Sequence, residues 1–190
     1  FIESQRLSYA DRELYSGDAD FVEVPVAGLV DAGYLASRSG LISPEARIAK
    51  PEAGVPPGAP LARGDGPEEP ENGTTHFSVV DAGGNAVSYT STIEGAFGSG
   101  LHFRGFYLNN ELTDFSFAPA DAQGRPIANR VEPGKRPRSS MSPTLVFDKA
   151  TGQLVMSGGS PGGALIIHYT AKLLAGTLHW GLNAQQAVRL

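Results

Sequence analysis

Between Thr75 and Ile93 the sequence alternates β-branched, hydroxyl and aromatic residues about the cluster Asp81-Ala-Gly-Gly-Asn85. A period of two broken once by glycine-rich turn chemistry admits an antiparallel hairpin and little else. Thr75–Val80 and Ala86–Ile93 are the expected strands. A turn centred on Gly83 pairs Phe77 with Tyr89 and Val79 with Val87 on one face, and continues the ladder to Thr74 opposite Thr92 on the other. A one-residue slip would exchange the faces. In this register two hydroxyls meet at the end of the ladder, away from the aromatic pair. Glu94, two residues beyond Thr92, is expected on their face.

The rest of the chain supplies helices and one unusual connection. Residues 1–20 carry Ile2, Leu7, Tyr9, Leu14 and Tyr15 as apolar anchors, which predicts helix in the first half, closed by the turn cluster Ser16-Gly-Asp-Ala-Asp20. Leu29, Val30, Tyr34, Leu35 and Leu41 predict one amphipathic helix over 26–41. Residues 51–73 hold Pro51, Pro56, Pro57, Pro60, Pro67 and Pro70 among Gly, Ala, Asp and Glu. This composition reads as a linker, and equally as a disordered tether between domains. Leu145–Phe147 and Leu154–Ser157 predict a second hairpin about Asp148-Lys-Ala-Thr-Gly152. Ser157-Gly-Gly-Ser-Pro-Gly-Gly163 then leads into a helix from Ala164 to about His179, with Ile167, Ala171, Leu174 and Leu178 as its stripe. Strands followed by a helix predict an α+β layer structure. Asn183 and Gln186 have the spacing of a helix N-cap and its capping-box partner.

Composition excludes several function classes. With 15 basic and 20 acidic side chains the net charge is −5, which argues against a nucleic-acid binder. No apolar run approaches the length of about 18 residues that spans a bilayer. There is no cysteine among the 190 residues, hence no disulfide, thiolate metal site or cysteine nucleophile. His76, His102, His168 and His179 lack metal-ligand spacing and read as structural, and Tyr169 and Trp180 as core or helix-packing residues. No cofactor is implied. Phe1 in place of Met, and a helix only just begun at Asn183, lead to the expectation of a fragment of a longer protein.

Thr74 has a possible chemistry. A threonine hydroxyl is a weak nucleophile unless a base stands beside it, and a chain-terminal threonine carries one in its own α-amine. That amine titrates at about 7.7–8.0, near working pH. The preceding Gly73 tolerates unusual backbone angles and leaves its carbonyl open to attack. Uncut, Thr74 has no such amine and is equally a β-branched residue opening a strand.

The block Thr74-Thr-His-Phe-Ser-Val-Val-Asp81 resembles the start of the small subunit of the γ-glutamyltranspeptidases. So do Gly84-Asn-Ala-Val-Ser-Tyr-Thr-Ser-Thr-Ile-Glu94, Phe97-Gly98, Leu108-Asn-Asn-Glu-Leu-Thr-Asp-Phe115, Lys135-Arg-Pro-Arg-Ser-Ser-Met-Ser-Pro-Thr144 and Gly159-Ser-Pro-Gly-Gly163. Upstream, Tyr9-Ala-Asp-Arg12, Gly17-Asp-Ala-Asp20 and Val24-Pro25 resemble the tail of the large subunit. The resemblance implies a partial αββα sandwich of the N-terminal-nucleophile (Ntn) hydrolases. Residues 1–50 would be the large-subunit tail, 51–73 the linker ending at the processing site, and 74–190 a truncated small-subunit core. It implies autocleavage at Gly73–Thr74, after which Thr74 attacks a γ-glutamyl amide such as glutathione. Water, an amino acid or a peptide would resolve the γ-glutamyl ester.

By the same resemblance Thr92 hydrogen-bonds the nucleophile. Glu94, Glu111 and Asp114 bind the donor α-amino group, for which carboxylates are suited. Ser139 and Ser140 bind its α-carboxylate, and Gly162 and Gly163 form the oxyanion hole. Read without the family, Glu111 and Asp114 are a solvated acidic loop, and Lys135, Arg136 and Arg138 a solvated basic cluster. The family's large-subunit arginine has no counterpart here. The partners implied are the remainder of both subunits, and the location periplasmic or secreted. Two other readings stand beside this one: an acylase of the same superfamily acting on glutaryl or related side chains of β-lactams, and a catalytically inactive paralogue or fragment.

Overall fold

The computed structural model describes residues 1–66 and 73–190. The last part of the proline-rich stretch, Pro67 and Pro70 included, lies outside the described residues. Two compact units emerge. The first takes its described residues from 1–66 and 112–138, the second from 73–111 and 139–190.

The first unit is built on helices α1 (Ile2–Tyr15), α2 (Val26–Leu29) and α3 (Ala32–Ser39). Leu7, Asp11 and Tyr15 recur every fourth residue of α1 and form its buried stripe. The single helix expected over 26–41 is two, because Asp31 acts as an N-cap. Its side chain accepts from Tyr34 N at 2.9 Å and starts α3 afresh.

Asp11 is the hub of this unit. It accepts from the Tyr34 hydroxyl (2.8 Å), from Arg38 (3.1 Å) and from Gly54 N (2.8 Å). Burial and the adjacent Asp11 carboxylate push the Tyr34 phenol well above its ordinary pKa. Tyr15 donates to Gly54 O at 2.7 Å, and Pro56 is fully buried. Farther along, Gly64 N donates to Pro126 O at 3.1 Å and Arg63 to Glu23 O at 3.0 Å. Residues 51–66 are therefore anchored to this unit, where composition alone allowed a free tether. Buried backbone groups need partners, and the proline-rich chain finds them in fixed side chains.

The second unit contains three two-stranded antiparallel ladders. Strands β1 (Thr74–Val80) and β2 (Ala86–Thr92) pair in the expected register, with Thr74 opposite Thr92, Phe77 opposite Tyr89 and Val79 opposite Val87. The Phe77 and Tyr89 rings lie 5.1 Å apart. β3 (His102–Phe103) and β4 (Phe106–Tyr107) form a small hairpin that the sequence reading did not anticipate. Its signal was Arg104-Gly105 between aromatic residues, since both residues adopt the positive φ of a tight hairpin turn. β5 (Thr144–Phe147) and β6 (Leu154–Gly158) pair with a bulge at Val146/Phe147. Two helices follow, α4 (Ile166–Leu178) and α5 (Ala184–Arg189). α5 begins with the expected capping box of Asn183 and Gln186.

Strands and helices in one chain make the fold α+β. The two long hairpins are joined by serine hydroxyls. Ser157 donates to Ser78 Oγ (2.9 Å), Ser88 donates to Gly158 O (3.0 Å), and Thr144 N donates to Ser88 Oγ (3.1 Å). α4 covers β6, with the Thr177 hydroxyl against Met156 Sδ. Tyr169 and Trp180 are not core residues: both are substantially exposed.

Candidate active site

Four of the singled-out residues meet where β1 begins. Thr74 and Thr92 are partners across the last rung of the ladder. The Thr92 hydroxyl donates to the Gly73 carbonyl at 2.9 Å and accepts from Glu94 N at 2.8 Å. In the intact chain this hydroxyl is therefore engaged with the carbonyl before Thr74, not with the Thr74 hydroxyl. Gly73 sits at φ 110°, and a β-carbon there would collide with the Glu94 carbonyl oxygen. Only glycine fits this approach without strain. Glu94 itself has a φ of 69°, uncommon for a residue with a side chain. The chain has left the strand by this point, so the two-residue alternation does not carry Glu94 onto the threonine face.

Asn110 fixes the Glu94 loop and was not singled out in the sequence. Its amide nitrogen donates to the Glu94 carboxylate, its oxygen accepts from Gly95 N (2.8 Å), and its own N–H donates to Ile93 O (3.2 Å). The adjacent Glu111 opens a 3-10 turn, Glu111–Asp114, and its N–H donates to the Asn109 side chain at 3.0 Å. Glu111 Oε1 is buried and has no hydrogen-bond partner. A buried acceptor in that state is costly unless a donor fills the place. Glu94 and Glu111 thus flank one asparagine. Asp114, at the far end of the turn, belongs to the first unit, where its carbonyl accepts from Asn129 at 2.7 Å.

The remaining candidates stand on neighbouring segments of the second unit. Ser140 is buried, and Ser139 is exposed with its hydroxyl accepting from Met141 N at 3.1 Å. Ser142 ties this segment to α4 by donating to Thr170 Oγ1 at 3.1 Å. Gly162 and Gly163 both have positive φ, at 134° and 56°; Gly162 caps and Gly163 opens the 3-10 turn that feeds α4. Backbone N–H groups at such a helix entrance suit a developing anion.

Each cation of the basic cluster is paired, and only Arg136 keeps an exposed side chain. The Lys135 side chain is wholly buried, donating to Ala128 O (2.7 Å) and Glu132 (3.0 Å). Arg138 is half-buried on Glu13 at 2.9 Å, and Arg136 makes three hydrogen bonds to Asp18. Among the described residues no three His, Cys, Asp or Glu side chains are grouped to hold a metal ion, and no helix is long and apolar enough to cross a membrane.

A cross-strand threonine pair, a glycyl carbonyl accepting from a hydroxyl, and a positive-φ glycine turn at a helix entrance are what this α+β scaffold brings to the candidate site. The sequence profile of the family Gamma-glutamyltranspeptidase matches residues 1–190, and the chain belongs to that family. It is 42% identical over 196 aligned residues to the glutathione hydrolase proenzyme of Bacillus subtilis strain 168, an alignment covering 98% of this chain and 32% of that protein. The chain spans about a third of the length of the curated relatives it matches. A solved γ-glutamyltranspeptidase from Pseudomonas nitroreducens, complexed with L-DON, shares 43% identity at a TM-score of 0.53. That match covers 60% of this chain and 61% of that one. The cephalosporin acylase structure from Bacillus halodurans matches 100% of this chain and 31% of its own at a TM-score of 0.78. At 23% identity it bears on the fold alone.

Proposed function

We propose that this chain is the processing-site segment of a γ-glutamyltranspeptidase proenzyme, and that it cuts itself at Gly73–Thr74. The Thr74 hydroxyl attacks the Gly73 carbonyl carbon, the peptide C–N bond breaks, and an ester forms to Thr74 Oγ. Water hydrolyses that ester, leaving the Gly73 carboxylate and a free Thr74 α-amine. The freed amine then serves as base while Thr74 attacks a γ-glutamyl amide such as glutathione. Water, an amino acid or a peptide takes the acyl group. The observation that carries this reading is the Thr92 hydroxyl on the Gly73 carbonyl at 2.9 Å, which polarises the bond to be cut.

Other features support the assignment of roles. The open Glu111 oxygen and the nearby Glu94 carboxylate suit the donor's α-ammonium, with Asp114 as the third acid. Ser139 and Ser140 suit the α-carboxylate. Gly162 and Gly163 suit the tetrahedral oxyanion. Within the whole protein we infer an αββα sandwich completed by the rest of both subunits, in the periplasm or outside the cell.

Intact mass of the full-length protein tests the reading. Wild type is expected as two fragments meeting at Gly73/Thr74, and Thr74→Ala as a single uncut chain with γ-glutamyl release lowered by about 10³-fold or more. Thr92→Val removes one donor from the scissile carbonyl and is expected to slow cleavage by about 10²-fold. A single mass for wild type leaves the inactive-paralogue reading in its place.

A further inference from the structure

The threonine face of the first hairpin continues past Thr74 and Thr92 into groups that the reaction above does not use. On the next rung of that face stand His76 and Thr90, then Ser78 and Ser88. His76 Nδ1 shares a hydrogen bond with Thr90 Oγ1 at 2.8 Å. Its ring stands beside Gly159, where an added β-carbon would collide with Cε1 and Nδ1 and press on Nε2. One residue earlier, Ser88 holds the Gly158 carbonyl. Gly159 is the root of the segment Gly159-Ser-Pro-Gly-Gly163, and the glycines at its far end are held in their turn by the ring of Tyr169 against Gly162. An aromatic ring thus stands beside the glycine segment at each end, and the first of these belongs to the strand that carries Thr74.

We infer that His76 is a positioning residue, whose imidazole face braces Gly159 and so sets the Gly162–Gly163 turn at a fixed place relative to Thr74. The inference rests on the function proposed above. Burial lowers the imidazole pKa from its ordinary value, which keeps the ring neutral at pH 7 and suits a brace better than a proton carrier. Bracing fits the absence of a side chain at 159, because the glycine backbone and the ring occupy adjoining space with no room for a methyl between them.

A double-mutant cycle on the full-length, self-cleaved protein tests this, with hydrolysis of a γ-glutamyl anilide as readout. His76→Ala is expected to lower kcat by about 10- to 10²-fold with donor KM changed less than about threefold, since a misplaced oxyanion donor acts on the transition state. Gly159→Ala forces its methyl into the ring and is expected to lose a similar amount. Combined, the two are expected to lose no more than His76→Ala alone, because the methyl then enters the space that the ring has left. Far-UV circular dichroism of each variant reports folding, and the pH dependence of kcat is expected to keep its shape throughout. Additive losses, an unchanged kcat in His76→Ala, or the disappearance of an ionisation from its pH profile would each overturn the inference. Thr74→Ala run alongside separates the two readings. Turnover that survives without the Thr74 hydroxyl defeats the proposed function, whereas turnover that depends on Thr74 but shows no coupling between positions 76 and 159 defeats only the bracing role.

Discussion

The acidic residues of the two units are used in opposite ways. In the first unit the buried Asp11 and Asp18 and the half-buried Glu13 are closed off by fixed donors. Asp11 takes Tyr34, Arg38 and Gly54 N; Asp18 takes Arg136 through three nitrogens; Glu13 takes Arg138. In the second unit Glu94 has a neutral amide, Asn110, as its side-chain partner, and Glu111 keeps a buried oxygen with none. Among the described residues neither Glu94 nor Glu111 joins an ion pair. A carboxylate already enclosed by cations has no acceptor capacity to offer a ligand, so it serves the fold. One left open in a partly buried place stays costly until a donor arrives, and an ammonium is the donor that returns most. Residue type alone does not separate the two uses; the partners do.

The sharpest way to break this contrast is to neutralise one carboxylate from each set. Glu111→Gln is expected to raise KM for a γ-glutamyl donor by about 10-fold or more, with a smaller change in kcat, because it removes charge facing the α-ammonium. The same variant should leave turnover of a glutaryl amide, which lacks that ammonium, unchanged within about twofold. Steady-state kinetics on the two substrates check both statements. Equal effects on the two would favour the acylase reading. Glu111 would then join Asp11 and Asp18 as a structural acid, and the contrast between the units would disappear.

The sequence displayed this difference poorly, and the reason is distance along the chain. The hairpin of β1 and β2 was legible because its information is local: alternation, a glycine turn, and an aromatic pair that fixes register. So the Thr74–Thr92 rung follows from the sequence alone. Asp18 and Arg136 are 118 residues apart and Glu13 and Arg138 are 125 apart, so Lys135, Arg136 and Arg138 read as a solvated cluster when each is committed to a partner. Two further signals are local. Asp31 has the character of an N-cap, which divides the stretch 26–41, and Arg104-Gly105 marks the small aromatic hairpin. Asn110 carries no charge to mark it in the sequence, yet it fixes the loop that holds Glu94.

A smaller effect sharpens the structural half of the comparison. Tyr34→Phe removes one donor from Asp11 and leaves the ring volume nearly unchanged. It is expected to lower the unfolding free energy by about 1.5–3 kcal/mol, the usual worth of a hydrogen bond to a charged group. Urea denaturation of the full-length protein measures this, and kcat and KM of the folded fraction should stay at wild-type values. A changed KM would mean that the Asp11 hub reaches the donor site and is more than a structural tie.

The smallest effect is one of pH, and it concerns Asp18. Hydrogen bonds from the Arg136 guanidinium, then from Arg136 N–H, hold its carboxyl well below the usual carboxylate range. A folded-state pKa below the unfolded value of about 3.9 adds stability that is fully present above the unfolded value. That contribution is lost as pH falls through the folded pKa. The urea midpoint of wild type should therefore exceed that of Asp18→Asn at pH 5 and above, and the gap should narrow on descent toward pH 2. A gap that stays constant over that range would mean that Asp18 contributes through its shape and neutral hydrogen bonds, and not through the charge that Arg136 encloses. The Arg136 side chain is 68% exposed while that of Asp18 is almost wholly buried, so salt should weaken the pair only in part. This pair, its counter-charge in place, differs in kind from Glu94 and Glu111, which join no ion pair among the described residues.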